Sequence, residues 1–324
     1  MMYPICNNWL SYHETADGLY CVNNHVVKES VLLDEQVFSF LNMLDGETDP
    51  YQIQTGYSPD EIDELLEMFY VLTFIRYGRI LQKSFGNLSF LIRELNMRNI
   101  RKKGYFLADS LIRILWIPIL AFGIWFFAGH WHMIGGSESI STIILSSVFG
   151  LATGVVLHEL AHIVAGISMG ADVYALGAGL NSFLPYAFVI MDTEMIRSRR
   201  RKIHIDMAGI EMNLFLTGLF LLLSCVIPYW GTVFYFAAIQ NALLALYNLI
   251  PLDGSDGMHT LSGIIGCSDL YEYAVEILTN QRKRRKLLAC GINGWVTLMS
   301  CLVIMLFKVT GPALLAVNAA LFLF

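Results

Sequence analysis

Two histidines one helical turn apart, with a glutamate beside the first, stand in the run Val155-Val156-Leu157-His158-Glu159-Leu160-Ala161-His162-Ile163-Val164-Ala165. On a helix His158 and His162 leave the same face, so both rings can hold one zinc ion, and Glu159 lies where it can take a proton from the attacking water. Between Glu138 and Asp172 no Asp, Glu, Lys or Arg occurs except Glu159. A run of that length crosses the roughly 30 Å of bilayer hydrocarbon as a helix. Ionisable groups at such depth cost several kcal/mol unless paired, which makes them functional candidates. The alternative is a short polar patch satisfied by neighbouring helices.

A hydrolytic zinc site generally has three protein ligands and a position left open for water. The third ligand therefore has to come from elsewhere in the chain. Downstream stands Asn248-Leu249-Ile250-Pro251-Leu252-Asp253-Gly254-Ser255-Asp256-Gly257, where proline and glycine break a helix and let carboxylates turn back toward a metal. Asp253 and Asp256 both offer the hard oxygen that zinc accepts.

The elements that must position these residues are predominantly apolar. The chain has 324 residues, of which 56% are hydrophobic and only 15% charged, a composition too apolar for an ordinary soluble protein. A net charge of -6 says little, because the acids concentrate in the first third and the bases in short loops. Those basic clusters flank apolar runs, where orientation and anionic-lipid contacts explain them, so no nucleic-acid partner is expected. The six cysteines form no CxxC pair and suggest neither a disulfide framework nor a second metal site. Residues 1–106 contain no charged n-region followed by an apolar run, so the first domain is expected in the cytoplasm.

Residues 1–85 read as a small soluble α+β domain. Leu19 to Leu33 carries β-prone residues interrupted by Asn23-Asn24, a candidate hairpin turn. Asp34 caps a helix with the apolar face Val37, Phe38, Leu41 and Leu44. Thr48-Asp49-Pro50 starts a short helix, and Ser58-Pro59-Asp60-Glu61 is a capping box that opens a longer one. Phe74-Ile75-Arg76-Tyr77 reads as a closing strand, giving a winged-helix-like order.

A basic linker over 86–106, with Arg93, Arg98, Arg101, Lys102 and Lys103, precedes a first span near 107–128. The helix carrying His158 then returns inward. Glycine-rich residues 170–192 read as an extended or hairpin segment associated with the membrane, with an edge free to receive a substrate strand. Further spans are expected near 205–227, 234–250, 288–307 and 312–324, about six in all. The expected fold is an α-helical polytopic membrane protein with a membrane-associated β segment and a small soluble N-terminal domain. Its N-terminus is expected in the cytoplasm of a bacterial cell, with the lipid bilayer as a partner. His204 and His259 are expected to be surface histidines in loops.

The two motifs, in this order and at the cytoplasmic ends of the second and fourth spans, resemble those of the site-2 protease family of intramembrane zinc metalloproteases. The likeness covers about residues 107–257. The family's second motif falls on Asn248, Pro251, Asp256 and Gly257, which implies Asp256 rather than Asp253 as the third ligand and Glu159 as the general base. Gly209-Ile210-Glu211-Met212-Asn213 is similar to the family's glycine-x-x-x-asparagine element. Asn213 and Asn248 then become candidates to bond the substrate main chain or its oxyanion, while helix-to-helix bonding is an equal expectation for Asn213. The N-terminal order, with Leu33-Asp34-Glu35-Gln36 and Leu44-Asp45-Gly46-Glu47-Thr48, resembles the RiPP recognition element, the leader-binding domain of enzymes that modify ribosomally made peptides. Together the two resemblances imply maturation of a membrane-associated peptide whose leader the N-terminal domain binds. Cleavage of a membrane-anchored regulator or signal-peptide remnant is a second expectation, and a non-proteolytic transporter or immunity factor a third.

Overall fold

The structure, a computed structural model, describes residues 3–24, 29–84, 87–95, 97, 102–133, 139–181, 184–193, 196–252, 254–267, 270–289, 291 and 293–306. It is mostly helical, with a β-rich N-terminal region. Two compact units divide the chain, Met1–Ile100 with Gly170–Met195, and Arg101–Met169 with Ile196–Phe324.

In the first unit β2 (Leu10–Glu14), β3 (Tyr20–Asn24) and β4 (Glu29–Leu33) form an antiparallel sheet. Asn23 and Asn24 do not form the expected turn; they lie inside β3. Asn24 is buried there, and its side-chain amide donates to Leu72 O at 2.7 Å, a partner available only if the strand runs on. The connection to β4 falls at 25–28, outside the described residues. Helix α1 (Glu35–Met43) begins where Asp34 accepts from Val37 N. A single 3-10 turn follows at Pro50–Gln52, and the Ser58–Glu61 capping box opens α2 (Pro59–Val71). These elements close over a core of Phe38, Phe40, Leu41, Leu44, Phe69 and Phe74.

A second sheet carries the order β1-β5-β6-β7-β8-β9, antiparallel throughout, built from β1 (Pro4–Cys6), β5 (Ile75–Tyr77), β6 (Ile80–Ser84), β7 (Asn87–Glu94), β8 (Asp172–Asn181) and β9 (Leu184–Asp192). The expected hairpin at 170–192 is therefore present, and it completes the sheet of the N-terminal unit. Part of the stretch expected to be a linker, 86–106, is strand β7. Ser89 and Leu91 are buried while Phe90 and Ile92 are exposed, the period-two signature of a strand with one covered face. Trp9, Leu91, Tyr174, Ala175 and Ile190 make a shared core of residues far apart in sequence.

The second unit contains α3 (Lys102–His130), α4 (Ile140–Met169), α5 (Arg199–Val226) and α6 (Gly231–Leu249), then the shorter α7 (Asp256–Ile265), α8 (Leu270–Thr279), α9 (Gln281–Leu288) and α10 (Asn293–Leu306). Four segments are long and apolar enough to cross a membrane: Lys103–His130, Ile140–Met169, Arg199–Val226 and Pro228–Leu249. Among the described residues this stands in place of six spans. The expected fifth run appears as the shorter apolar helix α10, and the expected sixth, 312–324, lies outside the described residues. Helix α5 packs against α3, α4, α6 and α7 and is the most enclosed of the four. It thereby faces the polar side of α4.

Candidate metal centre

His158, Glu159 and His162 are all buried on α4. Their helix carries small residues on the same side, with Gly154, Ala161 and Ala165 also buried, so neighbouring helices approach closely. The two imidazoles lie 4.8 Å apart between ring centroids, at an interplanar angle of 75°.

Asp256 reaches them from the first turn of α7. Helix α6 ends at Leu249, Pro251 cannot continue it, and Ser255 caps α7 by accepting from Met258 N. Ser255 Oγ also stands 2.7 Å from Ile250 O, which ties the new helix to the end of the old one. Gly257 makes the tie possible, since a β-carbon there would meet Leu249 O at 2.4 Å. Asp256 Oδ2 consequently stands 2.9 Å from His158 Nε2 and 3.2 Å from His162 Nε2, and the two Nε2 atoms are 3.2 Å apart. Burial would push the Asp256 carboxyl up, but His162 and the bonds from both imidazoles outweigh it and hold it well below the usual carboxylate range. Its place at a helix N-terminus adds to this.

Among the described residues, His158, His162 and Asp256 are the one His/Cys/Asp/Glu group that can hold a metal ion. The donor set fits zinc. Bond lengths of about 2.0–2.1 Å in a tetrahedron separate neighbouring ligand atoms by roughly 3.3 Å, close to the three separations seen here. The remaining imidazole nitrogens are engaged. His162 Nδ1 donates to the Ile205 carbonyl at 2.8 Å, which leaves its Nε2 free to ligate. Asn213, fully buried on α5, places Nδ2 3.0 Å from His158 Nδ1 while its Oδ1 has no partner.

Comparison of the chain with protein-family models, curated proteins and solved structures gives no match. The site therefore has to be judged on its own geometry.

Of the residues singled out in the sequence, His158, His162, Asp256 and Asn213 come together with Glu159 close by. Asn248 sits half-buried on the last turn of α6 and has no hydrogen bond to the group among the described residues. Asp253 lies outside the described residues. His204 is corrected: it is buried within α5, with Nε2 2.9 and 3.0 Å from the two oxygens of Asp109 on α3. Its neighbours Ile203 and Ile205 look like the start of an apolar run, but the partner is 95 positions away and no local pattern announces it. His259 is exposed on α7 rather than in a loop.

Two further contributors carry no functional side chain. Gly209 lies directly under the imidazoles, and Ile205 acts through its carbonyl. Ile205, Gly209 and Asn213 are spaced i, i+4 and i+8, so one stripe of α5 meets the two imidazoles of α4. The glycine-x-x-x-asparagine spacing held that information, although its steric meaning needed the neighbouring helix.

Proposed function

We propose that this chain is an intramembrane zinc metalloendopeptidase that cleaves a membrane-associated peptide. One observation carries the reading: two imidazoles on a helix long and apolar enough to cross a membrane and a carboxylate from the start of α7 converge at zinc-ligand separations, with a buried glutamate next to the first histidine. The two motifs' resemblance to the site-2 protease family supports it. Zinc held there by His158, His162 and Asp256 would supply Lewis acidity and activate water for attack on a peptide carbonyl.

Glu159 takes the proton from the attacking water and delivers it to the departing amide nitrogen as the carbon–nitrogen bond breaks. A base is required for that transfer, and neither transport nor structural zinc binding requires one at this position. His158 and His162 would hold the ion through their Nε2 atoms, with Asn213 and the Ile205 carbonyl fixing the rings. The surrounding apolar helices keep bulk water from the reacting atoms.

The N-terminal unit is assigned the task of binding the leader of a ribosomally made peptide. Its resemblance to a RiPP recognition element supports this, as do the outer edges of β4 and β9, which among the described residues end their sheets and offer main-chain groups to an extended peptide. A cytoplasmic N-terminus is part of the proposal, supported by the basic residues around the start of α3, and so is a bacterial cell membrane as the location.

The purified chain in detergent should hold one zinc ion per molecule and cleave a fluorogenic unfolded-protein substrate. Glu159→Gln should keep the zinc and lose at least a hundredfold in rate, the range expected for a lost general base. Cleavage at the wild-type rate by that variant would remove the protease reading.

A further inference from the structure

Helix α5 holds the His162 ring through a backbone group near its own start, and that start is intrinsically weak. Its cap residue, Ser198, makes no side-chain capping bond. Arg199, Arg200, Arg201 and Lys202 crowd positive charge at the positive end of the helix dipole, and the first turn contains no acid to offset it. An uncapped, like-charged terminus frays. Yet the Ile205 carbonyl, seven residues in, must stay within 2.8 Å of His162 Nδ1.

The residue beside it is His204, and its bond to Asp109 is buried on both sides, with side chains 5% and 7% exposed. Asp109 Oδ2 also lies 2.9 Å from Ser168 Oγ, six positions beyond His162 on α4. One carboxylate on α3 thus ties the end of α4 to the start of α5. Glu211 and Arg113 are charged groups in the same neighbourhood. A buried polar pair adds little net stability against an apolar replacement, while removing one partner leaves the other buried without its hydrogen bond. Its placement, bridging the end of α4 and the start of α5, points to a role of position.

We propose that the Asp109–His204 pair is a positioning device for the metal centre: it pins the start of α5, holds the Ile205 carbonyl in place, and so orients the His162 imidazole. This rests on the proposed zinc site. The two residues touch neither metal nor substrate and act through α5.

The test uses the full chain in detergent micelles, with zinc affinity read by chelator competition and ligand geometry read from the visible absorption of the cobalt(II)-loaded protein. Asp109→Ala and His204→Ala should each weaken zinc binding about tenfold, the lower end for residues that orient a ligand. Each should also shift the cobalt bands, and the double variant should be no worse than either single one. Asn241→Ala is the comparison, because Asn241 fastens α6 to α4 by donating to Gly150 O at 3.1 Å without touching α5's start. It should leave zinc affinity and the cobalt spectrum as in the wild type. Zinc affinity within twofold of wild type in both single variants, or an equal loss in Asn241→Ala, would overturn the proposal. Should the alanine variants fail to fold, Asp109→Asn and His204→Gln keep the volumes, and the same two readouts and thresholds apply. A wild-type chain that takes up no zinc would overturn the metal reading itself, and this inference with it.

Discussion

Gly209 lies so close to His158 that a β-carbon at position 209 would stand 2.4 Å from the ring's Cε1 and Nε2, and 2.5 Å from His162 Nε2. No side chain larger than hydrogen fits under the imidazole pair. Gly209→Ala should therefore expel one ring and weaken zinc binding by more than tenfold. Helix propensity acts in the opposite sense, favouring alanine by about 1 kcal/mol. Helix content by circular dichroism should hold while zinc stoichiometry falls; undiminished zinc in a folded Gly209→Ala protein would contradict the packing described.

Asn213 meets His158 with Nδ2, yet its own Oδ1 is buried without a partner. Turning the amide over would set Oδ1 opposite a protonated Nδ1, the tautomer that frees Nε2 for a metal. Asn213→Ala should weaken zinc binding about tenfold. Asn213→Asp, which keeps an acceptor in place, should recover most of that loss. If aspartate is no better than alanine, the asparagine acts otherwise than by accepting from the ring.

What the sequence discloses of this site depends on whether the information is local. His158, Glu159 and His162 are read from spacing on one helix, and the break between Asn248 and Gly257 announces a carboxylate that turns back. The capping residues Asp34 and Ser58 are equally legible, since a cap depends on three or four neighbours. The support of the site is not local. Any residue at 205 offers a carbonyl, so nothing in the letter isoleucine marks it. Asp109 and His204 are joined only by folding, and the charge cluster just before His204 suggests a wet loop instead. The pairing of β7 with β8 is hidden for the same reason: the two strands are separated in the chain by two helices long and apolar enough to cross a membrane.

Ile190 on β9 shares a core with Trp9 near the N-terminus and Leu91 on β7. Ile190→Ala should cost about 2–5 kcal/mol where the cavity cannot collapse. Because one sheet and one core join these segments, amide hydrogen exchange should rise at least tenfold in β7 as well as in β8 and β9. Faster exchange confined to the hairpin would mean that β8 and β9 are not part of the N-terminal unit's cooperative structure.

Glu61 accepts from the Ser58 backbone N–H and then from its hydroxyl, and these bonds hold the Glu61 carboxyl below its ordinary value. A depressed folded value means that the capping box contributes fully above the unfolded value, about 4.3, and fades as pH falls through the lowered one. Amides in the first turn of α2 should lose protection between neutral and acid pH, relative to a Glu61→Gln chain measured at each pH. Parallel pH profiles in the two chains would show that the carboxylate does not secure the helix start.

Asp256 bonds both imidazoles directly, so the three side chains satisfy one another even without an ion. Chelation should then leave the helical unit folded. Zinc that binds the folded chain alone nevertheless stabilises it by about 2.7 kcal/mol at a hundred times its dissociation constant. The apparent melting temperature should climb with free zinc in the wild type and in Glu159→Gln, whose ligands are intact. Asp256→Ala, left with two imidazoles, should need a far higher zinc concentration for the same rise, while Asp253→Ala should follow the wild type. A zinc-dependent rise retained in Asp256→Ala but lost in Asp253→Ala would transfer the third ligand to Asp253.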